Sequence, residues 1–287
     1  MVAIIKKEFL TYFKSMTGYV FMASLLFFVG LFFVTNNLLI LNPQYSGVLS
    51  SSTFVFLLIV PVLTMRLMAE ETRQKTDQLL LTSPVSLGRI VMGKYLGAVS
   101  VFLITLAITF IYPLILSTMG TIFWGEIIGG YIGFFLLGSA LIAVGLFVSS
   151  LTDNQVIAAV ATFTVLLVLW LMDAIIGSLP ADQTSGLIFA LILVAAIAFV
   201  FYSATRNLFV SGGVLLIGIL AVAAGFIIKP SLYNGFIGRV FGWLALHSHY
   251  QDFAMGIFSL TPIVYYITFS TVFLYLTVRM LEKKRWS

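Results

Sequence analysis

The chain has 287 residues, of which 61% are hydrophobic and only 9% charged, and its mean hydropathy is +1.14. Soluble domains carry about 25% charged residues, so this chain has too few polar side chains to cover a water-exposed surface, and disordered or collagen-like chains are excluded too. With no cysteine there is no disulfide, thiolate zinc site or cysteine nucleophile; the net charge of +5 must be judged by where the charges fall.

Residues 1–17 come first. Ile5, Phe9, Tyr12 and Met16 recur at helical spacing, opposed by Lys7, Thr11 and Lys14. The pattern predicts a cytoplasmic interfacial helix, with Lys7, Phe9 and Lys14 at the membrane surface.

A bilayer core about 30 Å thick takes roughly 20 apolar residues per helix. Eight such runs follow, near Tyr19 to Leu41, Val48 to Met68, Ile90 to Ser117, Ile127 to Ser149, Val156 to Leu179, Leu187 to Ala204, Leu208 to Ile228 and Leu260 to Met280. The first is longer than a secretory h-region and lacks a small-residue cleavage site, which reads as a retained helix. Between the second and third runs, residues 66–94 form a charged cytoplasmic elbow. Glu70 to Leu81 has helix-forming composition, Pro84 ends it, and Ser86 is placed to cap the next helix. Gly88, Gly93 and Lys94 match a phosphate loop up to Tyr95, where magnesium coordination needs Ser or Thr. No strand precedes them, so the match is accidental.

Gly129, Gly130, Gly133, Gly138 and Gly145 crowd the fourth run, a face suited to close helix packing within one subunit or between two. Asp173, in the outer part of the fifth, is either a solvated terminal carboxylate or a pathway group. Residues 187–228 read as a hydrophobic hairpin with Arg206 at its turn. Both arms cross, giving eight spans, or the pair is re-entrant, giving six; a cation inside a buried hairpin would need a partner, which speaks for crossing. In the outer segment 229–259, Tyr233, Phe236, Ile237, Val240, Phe241 and Leu244 form an amphipathic stripe with Arg239 opposite, predicting an outer interfacial helix bearing Phe236 and Arg239. His247 and His249 stand two apart, on different helical faces, too sparse for a metal site. Ser248, His247 and Asp252 lack the elbow and oxyanion hole of a hydrolase.

With both termini cytoplasmic, thirteen of the fifteen lysines and arginines lie inside, and only Lys229 and Arg239 outside. The positive-inside rule requires that asymmetry, and it assigns the basic residues to the membrane face and not to nucleic acid.

Residues 65–85, MRLMAEETRQKTDQLLLTSPV, carry a resemblance. Together with Lys7, Glu8 and Phe9, the turn Ser149 to Gln155, the group His249, Phe253 and Gly256, and the basic tail Glu282 to Trp286, they resemble ABC-2-type transporter permeases, especially the gliding-motility and nitrous-oxide-reductase-maturation branch. The likeness spans the chain except residues 187–228. It departs at Lys75, where the family usually has glycine, and at Gln78, where it often has glutamate.

The resemblance implies an all-α polytopic membrane protein, a six-helix core with residues 187–228 inserted. It implies a permease subunit, not an enzyme, in the prokaryotic plasma membrane, dimerising with an identical or different permease and working mainly as an exporter. Two copies of a cytosolic ATPase would hold ATP and magnesium, leaving this chain without a cofactor or metal. Their contact would be Glu70, Glu71, Arg73, Lys75, Thr76, Leu79, Leu80 and Pro84, assisted by the amino-terminal helix and the turn at Asp153. An ion-coupled carrier or channel is the alternative, which ionisable residues deep in several spans would favour; a non-transporting anchor of a larger complex is another.

Overall fold

The computed structural model describes residues 2–76 and 85–286, and among them every regular element is helical. Among the described residues, eight helices or near-continuous helical runs are long and apolar enough to cross a membrane, at the positions of the eight apolar runs. Two compact units divide the chain, Met1–Trp170 with Leu246–Ser287, and Leu171–Ala245.

The first unit opens with α1 (Val2–Lys14) and α2 (Met16–Phe33), the latter extended by a π-helical turn, Val34–Leu38. Ser15 is extended, at φ −109 and ψ 149, so the helical register breaks before Met16. Met16 therefore leaves the expected stripe and is 81% exposed. Tyr12 is buried as expected, but its companion on the buried face is Glu8, a residue the apolar periodicity did not single out.

The second span is assembled from α3 (Ser46–Ser52), a 3-10 turn (Thr53–Val55) and α4 (Phe56–Thr64). After the short helix α5 (Ala69–Arg73) the third span divides into α6 (Leu87–Thr109) and α7 (Ile111–Met119). Pro113 explains the division: its ring excludes the carbonyl four residues back, that of Thr109. Ser86 occupies the N-cap position of α6, but its hydroxyl makes no capping bond; the carbonyl of Ser86 instead accepts from Arg89 and Ile90.

Helix α8 (Trp124–Ser150) is the most thoroughly buried span. Its five crowded glycines all face neighbours within the chain: Gly129 and Gly133 meet Phe253, Gly130 meets Leu49, Gly138 meets Phe102 and Gly145 meets Thr64. Helix α9 (Gln155–Ser178) begins where Asn154 Oδ1 accepts from the Val156 and Ile157 amides.

In the second unit, α10 (Gln183–Thr205) and α11 (Leu208–Ile228) pack together, joined by Arg206 and Asn207. Arg206 adopts φ 53 and Asn207 Oδ1 caps α11 through the Phe209 amide, so the hairpin turn lies where the charge pattern placed it. The outer stripe is not one helix. A 3-10 turn (Pro230–Tyr233) is separated from α12 (Phe236–Phe241) by Gly235, at φ 62 with its amide bonded to Ala181 O. Only Tyr233 and Ile237 of the stripe are buried; Val240 is exposed. Back in the first unit, α13 (Leu246–Ala254) and α14 (Leu260–Trp286) complete the chain.

Candidate functional site

The elbow starts where α4 ends. The Ser149 hydroxyl of α8 accepts from the Met68 and Ala69 amides, each at 3.2 Å, and donates to Met65 O at 3.2 Å. Amides at the start of a helix have no intrahelical acceptor, so this serine caps α5 from another element. Glu70 and Glu71 occupy the first turn, where the helix dipole favours negative charge. Arg66 holds Glu70 through two bonds, 2.6 and 2.7 Å. At the other end Lys75 sits at φ 57, with its amide on Thr72 O and the Thr76 amide on Glu71 O. This paired closure is one that glycine usually makes. The helix expected to run to Leu81 therefore stops at Arg73. Leu79, Leu80 and Pro84 lie outside the described residues.

Against this elbow packs a cluster of charges. Lys94, two turns into α6, is 2% exposed, and its Nζ lies 3.1 Å from Glu8 Oε1 and 2.8 Å from Glu71 Oε1. Lys7 adds longer pairs, 3.9 Å to Glu8 and 3.8 Å to Glu71. Glycine permits the approach, because a Cβ on Gly93 would lie 2.7 Å from Ile4 and one on Gly97 2.7 Å from Glu8. Tyr12 donates to Leu63 O at 2.8 Å, and burial, then the Glu8 charge, push its hydroxyl pKa up, partly opposed by Arg66. The Leu63 carbonyl is open to it because the Leu67 amide bonds to Thr64 O instead. Lys7, Glu8, Tyr12, Arg66, Glu71 and Lys94 line a cleft of about 310 Å³. Among the described residues it contains no nucleophile paired with a base, and its ion pairs join α1, α5 and α6.

The remaining expected residues are dispersed. Arg73, Lys75 and Thr76 are exposed at the end of α5, and Asp153 is exposed in the α8–α9 turn. Lys7 and Lys14 are exposed on α1, and Phe9 packs on Phe13 with centroids 4.8 Å apart. Arg239 lies over the Phe236 ring and donates to Leu232 O and Asn234 O. Asp173 is half-buried, and its Oδ2 has no hydrogen-bond partner among the described residues. Gly88, Gly93 and Lys94 are all helical, which leaves no loop to wrap a phosphate. His249 stacks on Tyr265 at 4.0 Å, and the described residues hold no cluster of metal-ligating side chains. The Glu8–Lys94 pair escaped the sequence reading. Its one signal was a lysine within an apolar run, followed and preceded by glycines.

The profile of a family described as ABC-2 family transporter protein matches residues 3–211. That stretch contains α1, the elbow and α6, and it ends just inside α11. No curated protein matches the chain.

Proposed function

We infer the function from one premise: the chain belongs to the ABC-2 family of transporter proteins. It is a multi-pass membrane permease of an ABC transporter. Its finer role, in our reading, is that of a subunit that pairs with a second permease chain, identical or not, and moves substrate outward. Two copies of a cytosolic ATPase dock on the elbow, carry ATP and magnesium, and drive alternation between inward-open and outward-open states. The membrane is a prokaryotic plasma membrane with both termini in the cytoplasm, a reading that the distribution of lysine and arginine supports. Asp173 is the ionisable group we assign to the pathway.

The observation that carries this reading is the anchored elbow. An ATPase shifts the permease only through contacts that differ between two states, and those contacts need a handle fixed to the spans. Ser149 fixes α5 to α8, while Arg73, Lys75 and Thr76 remain exposed. Glu70 and Glu71 are held by Arg66 and Lys94, so their part is to set the elbow's orientation as well as its charge.

The test reverses exposed charge without touching those pairs. Arg73→Glu with Lys75→Glu sets like charges against an acidic ATPase surface, a change worth several kcal/mol and on the order of a hundredfold in affinity. Copurification of the ATPase should fall accordingly, with insertion checked in the same sample. Unchanged ATPase recovery refutes the elbow contact. A wild-type chain that retains no ATPase refutes the permease mechanism and returns the choice to a carrier or an anchor.

A further inference from the structure

The Glu8–Lys94–Glu71 cluster draws one residue from each of three elements, α1, α6 and α5, and the docking contact uses none of its ammonium. A buried ion pair is poor evidence of stabilisation, because well-packed apolar side chains of the same volume often serve as well or better. What it provides is a link whose partners are costly to separate, since an unpaired carboxylate stranded at low dielectric is strongly unfavourable.

We propose that Lys94 is the pivot of coupling: a positioning residue that makes α1 follow the elbow when the ATPase displaces it. The proposal rests on the reading of the elbow as the ATPase handle. Lys94 holds Glu71 of the elbow at 2.8 Å and Glu8 of α1 at 3.1 Å. A displacement of α5 past α1 of even 2 Å, the scale of helix shifts in switching proteins, breaks one of the two. Lys7 completes the charge balance, two cations to two carboxylates, so the cluster has no surplus charge to draw it toward solvent. The Tyr12 bond to Leu63 O ties α1 to the end of α4 by the same logic. Gly93 and Gly97 keep α1 against α6, so Glu8 stays beside the ammonium and Glu71 of α5 is the partner that a displaced elbow would withdraw. The elbow, α1 and the cytoplasmic end of α6 therefore move as one piece, and the interfacial helix is driven along the membrane surface by nucleotide binding.

The experiment uses the full chain with its ATPase. Because the chain has no cysteine, Lys6→Cys on α1 and Gln74→Cys after α5, both exposed, carry spin labels, and their separation is measured without nucleotide and with ATP trapped. In the wild-type background the distribution should be narrow and the same in both states. Lys94→Met removes the pivot and leaves two facing carboxylates. The triple variant Glu8→Gln, Glu71→Gln, Lys94→Met removes every charge of the triad and with it the repulsion, so it should insert; because Glu71 stands on the elbow, ATPase recovery is measured in the same sample, and its loss overturns the pivot by making the triad part of the docking contact itself. In the triple variant the distance should change between the two states by on the order of 2 Å or more. A narrow, nucleotide-independent distance in the triple variant overturns the pivot, as does a nucleotide-dependent distance in the wild type. Failure of the triple variant to insert also overturns it, by making the cluster an element of folding. A wild-type chain that does not retain ATPase removes the elbow reading itself, and the pivot with it.

Discussion

Replacing Gly145 by alanine tests the packing on which the elbow depends. A Cβ at this position would stand 2.8 Å from both Cβ and Cγ2 of Thr64 and closer still to Oγ1. Rotating the threonine moves only Cγ2 and Oγ1, because its Cβ is fixed to the backbone of α4. Relief requires α4 and α8 to part by roughly half an ångström or more, against close packing on every side. Overpacking of this kind costs about 1–3 kcal/mol, and alanine's better helix propensity returns up to about 1 kcal/mol. The net expectation is a loss of about 1–2 kcal/mol. Gly125, on the same helix, has nothing within 4 Å of its added Cβ, so Gly125→Ala should be neutral or stabilising by up to about 1 kcal/mol. Denaturant titration of both variants in one detergent, followed by tryptophan fluorescence, compares them directly. The strain also lies one turn from Ser149, so amide exchange at Met68 and Ala69 should accelerate in Gly145→Ala alone. Equal stability of the two alanine variants would refute the assignment of this glycine to the α4–α8 contact.

Lys75→Gly relieves a left-handed residue, worth about 1–2 kcal/mol, and loses roughly 0.5–1 kcal/mol to greater unfolded-state freedom; the elbow should exchange its Thr76 amide more slowly, and faster exchange would count against the closure described. Asp182 caps α10 through the Ser185 amide at 3.0 Å and bonds the Thr184 hydroxyl, which hold its pKa down, from 3.8 to about 2. A depressed folded-state value means stability present in full above pH 3.8 and lost as the pH falls through 2. The stability difference between wild type and Asp182→Ala should therefore persist at pH 4 and vanish below pH 2; a difference that disappears by pH 4 would contradict the cap.

Much of this protein is legible along the chain because the bilayer imposes a local rule. Each apolar run of sufficient length must satisfy its backbone within a helix, so the eight apolar helices and the turn at Arg206 follow from composition and charge. The elbow was visible for the same reason, as the longest charged interval between apolar runs. Its extent was not. Helix propensity runs on past Arg73, but Lys75 turns left-handed, and the capping that makes this a stable end comes partly from Ser149 of α8. In the outer segment the periodicity of Tyr233 to Leu244 continues smoothly in sequence, while Gly235 breaks it in space by bonding to Ala181 O.

Charge placement separates the two kinds of information most clearly. The expected sidedness is a sum over many lysines and arginines, so it is drawn without knowledge of any contact. Whether a particular cation is solvated depends on what packs over it. Lys94 enters that total like any other lysine, yet only the approach of α1 across Gly93 and Gly97 makes it the buried partner of Glu8 and Glu71. Those carboxylates lie 86 residues before it and 23 before it, too far apart for any periodic signal. Tertiary structure decided that contact because burial is a property of neighbours in space, and the energy that fixes an ion pair depends on the dielectric those neighbours create.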